Sequence, residues 1–221
     1  MNRGRISSSR RSRRPRPDDP RVQRTRVAVL PAARKLFLQR GYVATTMEDI
    51  AVEAGLAKRT LYNNYGDKVT LFEHVIADTV AFADSFVEGL KREFSSDISK
   101  TNVAAKLEDL GVRLALAIIR PEVVALRRML IGESREFPLI GREYFDRAPG
   151  RVLQAIAEGF SRLAHRRVLR GCDFHSAAAQ FAYLVAGEHL DRALMTGEIP
   201  AQASIEATAR SGAQTFCVRY V

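Results

Sequence analysis

The chain has 221 residues, 46% of them hydrophobic and 27% charged, with a net charge of +10. These are ordinary values for a globular protein with a real core, in one mid-sized domain or a small domain joined to a larger one. No apolar run is long enough to span a bilayer, which excludes an integral membrane protein built on helices.

The charge is unevenly placed. Residues 1–26 hold ten arginines against Asp18 and Asp19, leaving only +2 for the remaining 195 residues. Residues 1–20, rich in Ser, Arg and Pro, cannot bury enough apolar surface to offset their ordering entropy and are expected to be a disordered basic arm attracted to phosphates. Arg10-Arg11 resembles a twin-arginine export signal, but no apolar stretch follows it. The expectation is therefore a cytoplasmic protein. Cys172 and Cys217 stand far apart without metal-ligand spacing and read as two thiols in a reducing compartment.

Along the chain the apolar period is helical nearly everywhere, and no strand-length alternation occurs. A first helix carries Val29, Ala33, Leu36 and Phe37 on one face and ends at Gly41. Pro31 requires either a start near Leu30 or a kink. Thr45-Thr46 with Glu48 and Asp49 opens a second helix, which stops at Gly55. A third covers Lys58 to Asn64, and Asp67 caps a long fourth running to Phe94. Helices follow from Val103 to Ile118, Glu122 to Glu133, Arg151 to Val168, Phe174 to about Met195 and Ala201 to the C-terminus. Residues 135–150 read as an aromatic connector bounded by Pro138 and Pro149. The fold class is all-α, with about nine helices.

Met47 to Leu61 has the spacing of a helix-turn-helix. Ala51 sits where the helices cross, Gly55 where the turn needs positive φ, and Leu61 where an apolar anchor is required; Ile50 and Leu56 complete a small core. Lys58, Arg59, Thr60, Tyr62 and Asn63 are left to face outward. Charge pairs are ordinarily a solvated face, but a helix supported in this way fits the major groove of DNA.

Residues 32–75, with the series F…GY…TT…IA..AG…TLY..Y..K..L, resemble the N-terminal domain of the TetR family of bacterial transcriptional regulators. Residues 127–149 and 177–197 resemble, more loosely, the C-terminal domain of one subgroup. The resemblance implies a three-helix DNA-binding head over residues 21–68 and an effector-binding, dimerising helical body over residues 69–221. It implies a homodimer on double-stranded operator DNA, acting as a repressor that a small-molecule effector releases, with no membrane partner. Carried over by position, Thr46 and Tyr62 are implied phosphate contacts, and Lys58, Arg59 and Thr60 the base-reading start of the recognition helix. Asn63 and Asn64 follow where contacts continue, and Lys68 is implied near the DNA backbone. Ala57 departs from the usual capping Ser or Thr, and Tyr65 from the usual Phe.

An effector cavity is implied among the middle helices. Its candidate lining is Phe82, Phe86, Leu110, Leu114, Met129, Phe145 and Phe160, with Arg128, Glu133 and His189 as polar candidates. Ala178, Ala182, Ala186 and Leu190, with Ala179 and Gly187, keep one side of the penultimate helix small and are candidates for the dimer interface. The competing alternatives are a non-specific nucleoid-associated protein and an all-α enzyme. His74, His165, His175 and His189 form no H-x-x-x-H pair. Phosphate-binding glycine loops, nucleophile elbows and Glu-x-x-His pairs are likewise missing, so no cofactor, metal or catalysis is expected.

Overall fold

The computed structural model describes residues 20–136 and 138–221. Ten helices follow one another in this part of the chain: α1 (Pro20–Ala44), α2 (Met47–Glu53), α3 (Lys58–Tyr65), α4 (Lys68–Phe94), α5 (Val103–Ile118), α6 (Pro121–Gly132), α7 (Pro138–Arg147), α8 (Pro149–His165), α9 (Phe174–Thr196) and α10 (Gln202–Tyr220). No strand occurs among the described residues. The expected connector is thus largely the helix α7, opened by Pro138 at a position where a missing N–H costs nothing. The basic arm lies outside the described residues except for Pro20, which begins α1.

α1 passes through Pro31 instead of starting after it. Pro31 is exposed, while Val29, Leu30, Ala32 and Ala33 around it are buried, and that packing holds the helix against the lost hydrogen bond. Gly41 breaks the helix at φ 81° and ψ 169°, a conformation that suits glycine. The two threonines that follow divide the junction. The buried Thr45 hydroxyl reaches back to the carbonyls of Leu36 and Gly41, at 3.2 and 2.8 Å. Thr46 caps α2 in a reciprocal box with Asp49.

Two apolar clusters form. The first gathers Val29, Phe37, Tyr42, Ile50, Leu61 and Tyr65 of α1–α3 onto Leu71, Phe72, Val75 and Val80 in the first half of α4. It also takes in Leu126, Met129 and Leu130 of α6 and Tyr144 of α7. The second is built from the far half of α4 with α5, α8, α9 and α10, around Phe94, Phe160, Phe181 and Phe216. α4 therefore runs through both, and α6 lies against the head while belonging in sequence to the body.

Candidate nucleic-acid interface and ligand cavity

The helix-turn-helix follows from a few side chains. Ile50 and Leu61 are fully buried, Ala51 nearly so, and Leu56 is half-buried against them. Gly55 turns the chain at φ 65°, and the Leu56 amide closes the turn on the Ala51 carbonyl at 2.9 Å. Ala57 opens α3 without a side-chain cap. With Leu61 and Tyr65 turned inward, Lys58, Arg59, Tyr62 and Asn63 are exposed and Thr60 half-exposed. Burial pushes the Tyr65 phenol up, as befits a core residue with His74 edge-on to its ring.

The acids of α2 would repel phosphates if left alone, and each has a basic partner. Glu53 accepts from Lys35 at 2.7 Å, Asp49 lies 3.9 Å from Arg40, and Glu48 pairs with Lys58 across the turn. The hydrogen bond from Lys58 holds the Glu48 carboxyl below its usual range and raises Lys58 in return. Lys58 also stands 5.6 Å from the centre of the Tyr62 ring. Arg59 is exposed and meets no carboxylate among the described residues. The link through Glu48 was not foreseen, although its place one turn into α2 was a hint.

Three expected DNA contacts have other occupations. Lys68 Nζ donates to the carbonyls of Tyr42, Val43 and Thr45 at 3.0, 3.4 and 2.9 Å and sits 4.3 Å above the Tyr42 ring. Its three protons are engaged, so it acts as a strut from α4 to the α1–α2 junction. The Thr46 hydroxyl donates to Asp49 at 2.6 Å and accepts its amide at 3.1 Å. The Asn64 side-chain amide donates to the Thr60 carbonyl at 2.7 Å, turning it along its own helix.

In the body, a cavity of about 550 Å³ opens between α4, α5, α6, α7, α8 and α9. Phe82, Phe86, Leu114 and Phe145 line it, as expected. Leu110 and Phe160 do not; both are buried among core side chains of the second cluster. Met129 lies on a different face of α6, next to two other cavities against α1, of about 280 and 560 Å³. Of the polar candidates, Arg128 and Glu133 border the larger of these two cavities with Met129, and none lines the first. Arg128 donates to the Leu194 carbonyl at 2.6 Å, at the C-terminal end of α9 where a cation is favoured. Glu133 lies beside Gly41, and buried His189 bridges to Ser204 and Thr208 on α10. Arg127, one residue before Arg128, is the arginine that lines the cavity, with Tyr144 beside it. Neither was foreseen.

The expected dimer face is used within the chain. Ala178 and Ala186 are fully buried in the body core, and Ala182 and Leu190 are half-buried along the cavity. The close approach to α10 is made by its own Gly212, which lies directly against the Leu184 carbonyl. What α9 and α10 expose is Tyr183, Leu184, Met195 and Val218. No group of His, Cys, Asp and Glu among the described residues could hold a metal ion. No helix there is long and apolar enough to cross a membrane.

Two family models match the sequence: bacterial regulatory proteins of the tetR family over residues 29–75, and the C-terminal domain of AefR-like transcriptional repressors over residues 105–221. The repressor BepR of Brucella suis is 38% identical over 52 residues, which cover 24% of this chain and 25% of BepR. The activator FasR of Mycolicibacterium smegmatis is 37% identical over 73 residues, covering 33% of this chain and 32% of FasR. Across the curated relatives it matches, the chain spans from a quarter to three fifths of their length. Among solved structures, a TetR-family regulator from Mesorhizobium loti superposes at a TM-score of 0.82 with 27% identity, covering 90% of this chain and 98% of that one. The flavonoid-responsive regulator FrrA superposes at 0.67 with 29% identity, covering 90% and 97%. With a family model spanning more than half its length, and the head matched separately, the chain belongs to the TetR family of transcriptional regulators.

Proposed function

We propose that the chain is a homodimeric repressor that reads double-stranded operator DNA through α3 and leaves it when a small molecule fills the cavity. The observation that carries this reading is the double allegiance of α6. Val123, Arg127, Leu130 and Ile131 line the cavity, while Leu126, Met129 and Leu130 pack into the head cluster with α1. A ligand that favours one position of α6 biases the head, and by linkage DNA weakens the ligand equally. Repression is supported by the description of the matching C-terminal family, and small-molecule response by the printed name of FrrA. The apolar side chains exposed on α9 and α10 support a second copy packed on that side.

Selection of bound duplexes from a random pool tests the reading. The expected product is an inverted repeat whose half-sites lie on a spacing set by the dimer. A specificity ratio near one between selected and random DNA would instead favour the non-specific alternative. Charging the exposed face, as in Leu184→Asp with Val218→Asp, should yield a folded monomer with much weaker operator binding.

A further inference from the structure

We propose that the cavity takes an apolar organic acid, with its carboxylate held by Arg127 and Tyr144. The proposal rests on the reading of this cavity as the effector site and names the chemistry of its ligand. Of the 23 side chains and backbone segments around the cavity, nearly all are apolar, with Phe82, Phe86, Leu114 and Phe145 among them. A volume of about 550 Å³ is in the range that encloses most of a drug-sized molecule. Such walls recognise an aliphatic or aromatic body and discriminate weakly among them. The polar groups must therefore set the class.

Those polar groups are donors. Arg127 is half-buried and, among the described residues, meets no carboxylate; its Nε makes a long contact of 3.5 Å to the Tyr144 hydroxyl oxygen. That leaves the terminal nitrogens of the guanidinium without an acceptor among the described residues. Tyr144 is buried, and since its oxygen accepts from Arg127, its own proton is left for an acceptor in the cavity. Ser134, the remaining small hydroxyl in the wall, already donates to the Ile131 carbonyl at 2.7 Å. A positive, planar fork beside a phenol, in an apolar cavity without a facing acid, is complementary to a planar anion. The other arginines nearby are engaged elsewhere. Arg128 holds the end of α9, Arg151 pairs with Asp84, and Arg120 lies over the Phe82 ring with Glu122 at 3.7 Å. Position matters as well, because Arg127 is on α6, so a carboxylate drawn to it pulls on the helix that packs against the head.

The test uses the full-length protein and matched probes: decanoate against decanol, and 2-naphthoate against 2-naphthalenemethanol. Binding is followed by calorimetry on the parent, Arg127→Met, Arg127→Lys and Tyr144→Phe. On the parent, at least one acid should bind roughly tenfold or more tightly than its alcohol, since a charge-assisted fork is lost in the alcohol. Arg127→Met should abolish that preference while leaving alcohol affinity within about twofold, and Arg127→Lys should restore part of it. Tyr144→Phe should lower acid affinity several-fold with the preference reduced but present. Equal binding of acid and alcohol to the parent, or a preference that survives Arg127→Met, overturns the anchor while the cavity remains a ligand site. If no probe of either series binds, the reading of the cavity as a ligand site falls, and the anchor with it.

Discussion

Glu48 on α2 holds the ammonium of Lys58 at the first residue of the recognition helix, with that ammonium 5.6 Å from the centre of the Tyr62 ring. In the free protein the first cation of α3 is therefore occupied by its own chain. DNA must compete for it, and an acid stands where phosphates would approach. Glu48→Gln keeps the size of the side chain and removes the charge. Because exposed pairs contribute little to folding, the melting temperature should hardly change. Affinity for any duplex should rise, by up to about fivefold at low salt, and the salt dependence should steepen as Lys58 becomes available to phosphate. Fluorescence anisotropy over a salt series checks both, and an unchanged slope would mean that Lys58 never reaches the DNA.

Lys68 gives the opposite expectation. Its three hydrogen bonds to the carbonyls between Tyr42 and Thr45 fix α4 to the junction that leads into α2. Lys68→Met keeps the stem, removes a charged donor from three carbonyls, and should destabilise the protein by about 2–3 kcal/mol, the scale of losing bonds to a charged donor. The loss should be seen in denaturant melts without DNA. A variant of parental stability that binds DNA weakly would return Lys68 to the phosphate role.

Lys68 also shows where sequence reasoning stops. A lysine at the start of a helix beside a recognition element reads as a DNA cation, and nothing local says that a turn some 25 residues earlier has carbonyls to satisfy. Arg127 and Arg128 show the same limit in another form. Adjacent residues on a helix point about 100° apart, and the phase of α6 depends on where Pro121 starts it and on which face Leu126 and Leu130 bury. The small residues of α9 suggest a close helix approach, but a stripe does not say which helix comes near, and the near contact is made by Gly212 of α10 at Leu184. The head was legible because its signals are short-range: Thr46 with Asp49, Gly55 in the turn, and Ile50 with Leu61 lie within one contiguous segment.

The close approach of α9 and α10 is itself testable. A Cβ on Gly212 would stand well inside contact distance of the Leu184 carbonyl oxygen, and backbone cannot rotate away. On α8, a Cβ on Gly159 would strike the Phe94 ring, which is buried with Phe160 edge-on beside it. Both Gly212→Ala and Gly159→Ala should destabilise by about 1–3 kcal/mol through overpacking, against any gain in helix propensity. Gly212→Ala should be the worse of the two, because two helices must part instead of one ring shifting. Thermal denaturation of both variants ranks them, and a stabilised Gly212→Ala would contradict the packing.

Acid sensitivity should come from the caps. Asp49 is held below its usual carboxylate value first by the Thr46 hydroxyl, Asp67 by the Thr70 amide, and Asp173 by the Ser176 hydroxyl. A depressed folded pKa contributes stability that is fully present above the unfolded value, about 3.9 for aspartate, and is lost as pH falls through the folded one. These groups therefore add no pH dependence between pH 5 and 8 and steepen unfolding below about pH 4. Asp67→Asn keeps an acceptor for the Thr70 amide without the titrating charge. Its melting temperature should fall less than the parent's between pH 5 and 2.5, and equal slopes would remove Asp67 from the acid response.

The recognition helix makes the most specific forecast, since its side chains should divide into those that read bases and those that hold the backbone. Arg59 is exposed, meets no carboxylate among the described residues and stands at the second position of α3, where a helix docked end-on in the major groove meets base edges. Arg59→Ala should cost about 1–3 kcal/mol on the preferred operator and relax the choice of base at one or two positions per half-site. Tyr62 lies a turn further on, 38% exposed, with its ring beside Lys58. Tyr62→Phe removes one donor and keeps the ring, so affinity should fall evenly across sequences, by about 0.5–1.5 kcal/mol, with the selected motif unchanged. Because Lys58 lies between Glu48 and the Tyr62 ring, the comparison is made in the Glu48→Gln background as well, where the Tyr62 effect should persist if the hydroxyl binds phosphate. In a dimer each change counts twice, at positions related by the operator's two-fold centre. Binding-site selection on the parent and each variant provides the readout. A motif unaltered by Arg59→Ala and by Lys58→Ala would move base recognition to Thr60 and Asn63, or to the shape of the duplex.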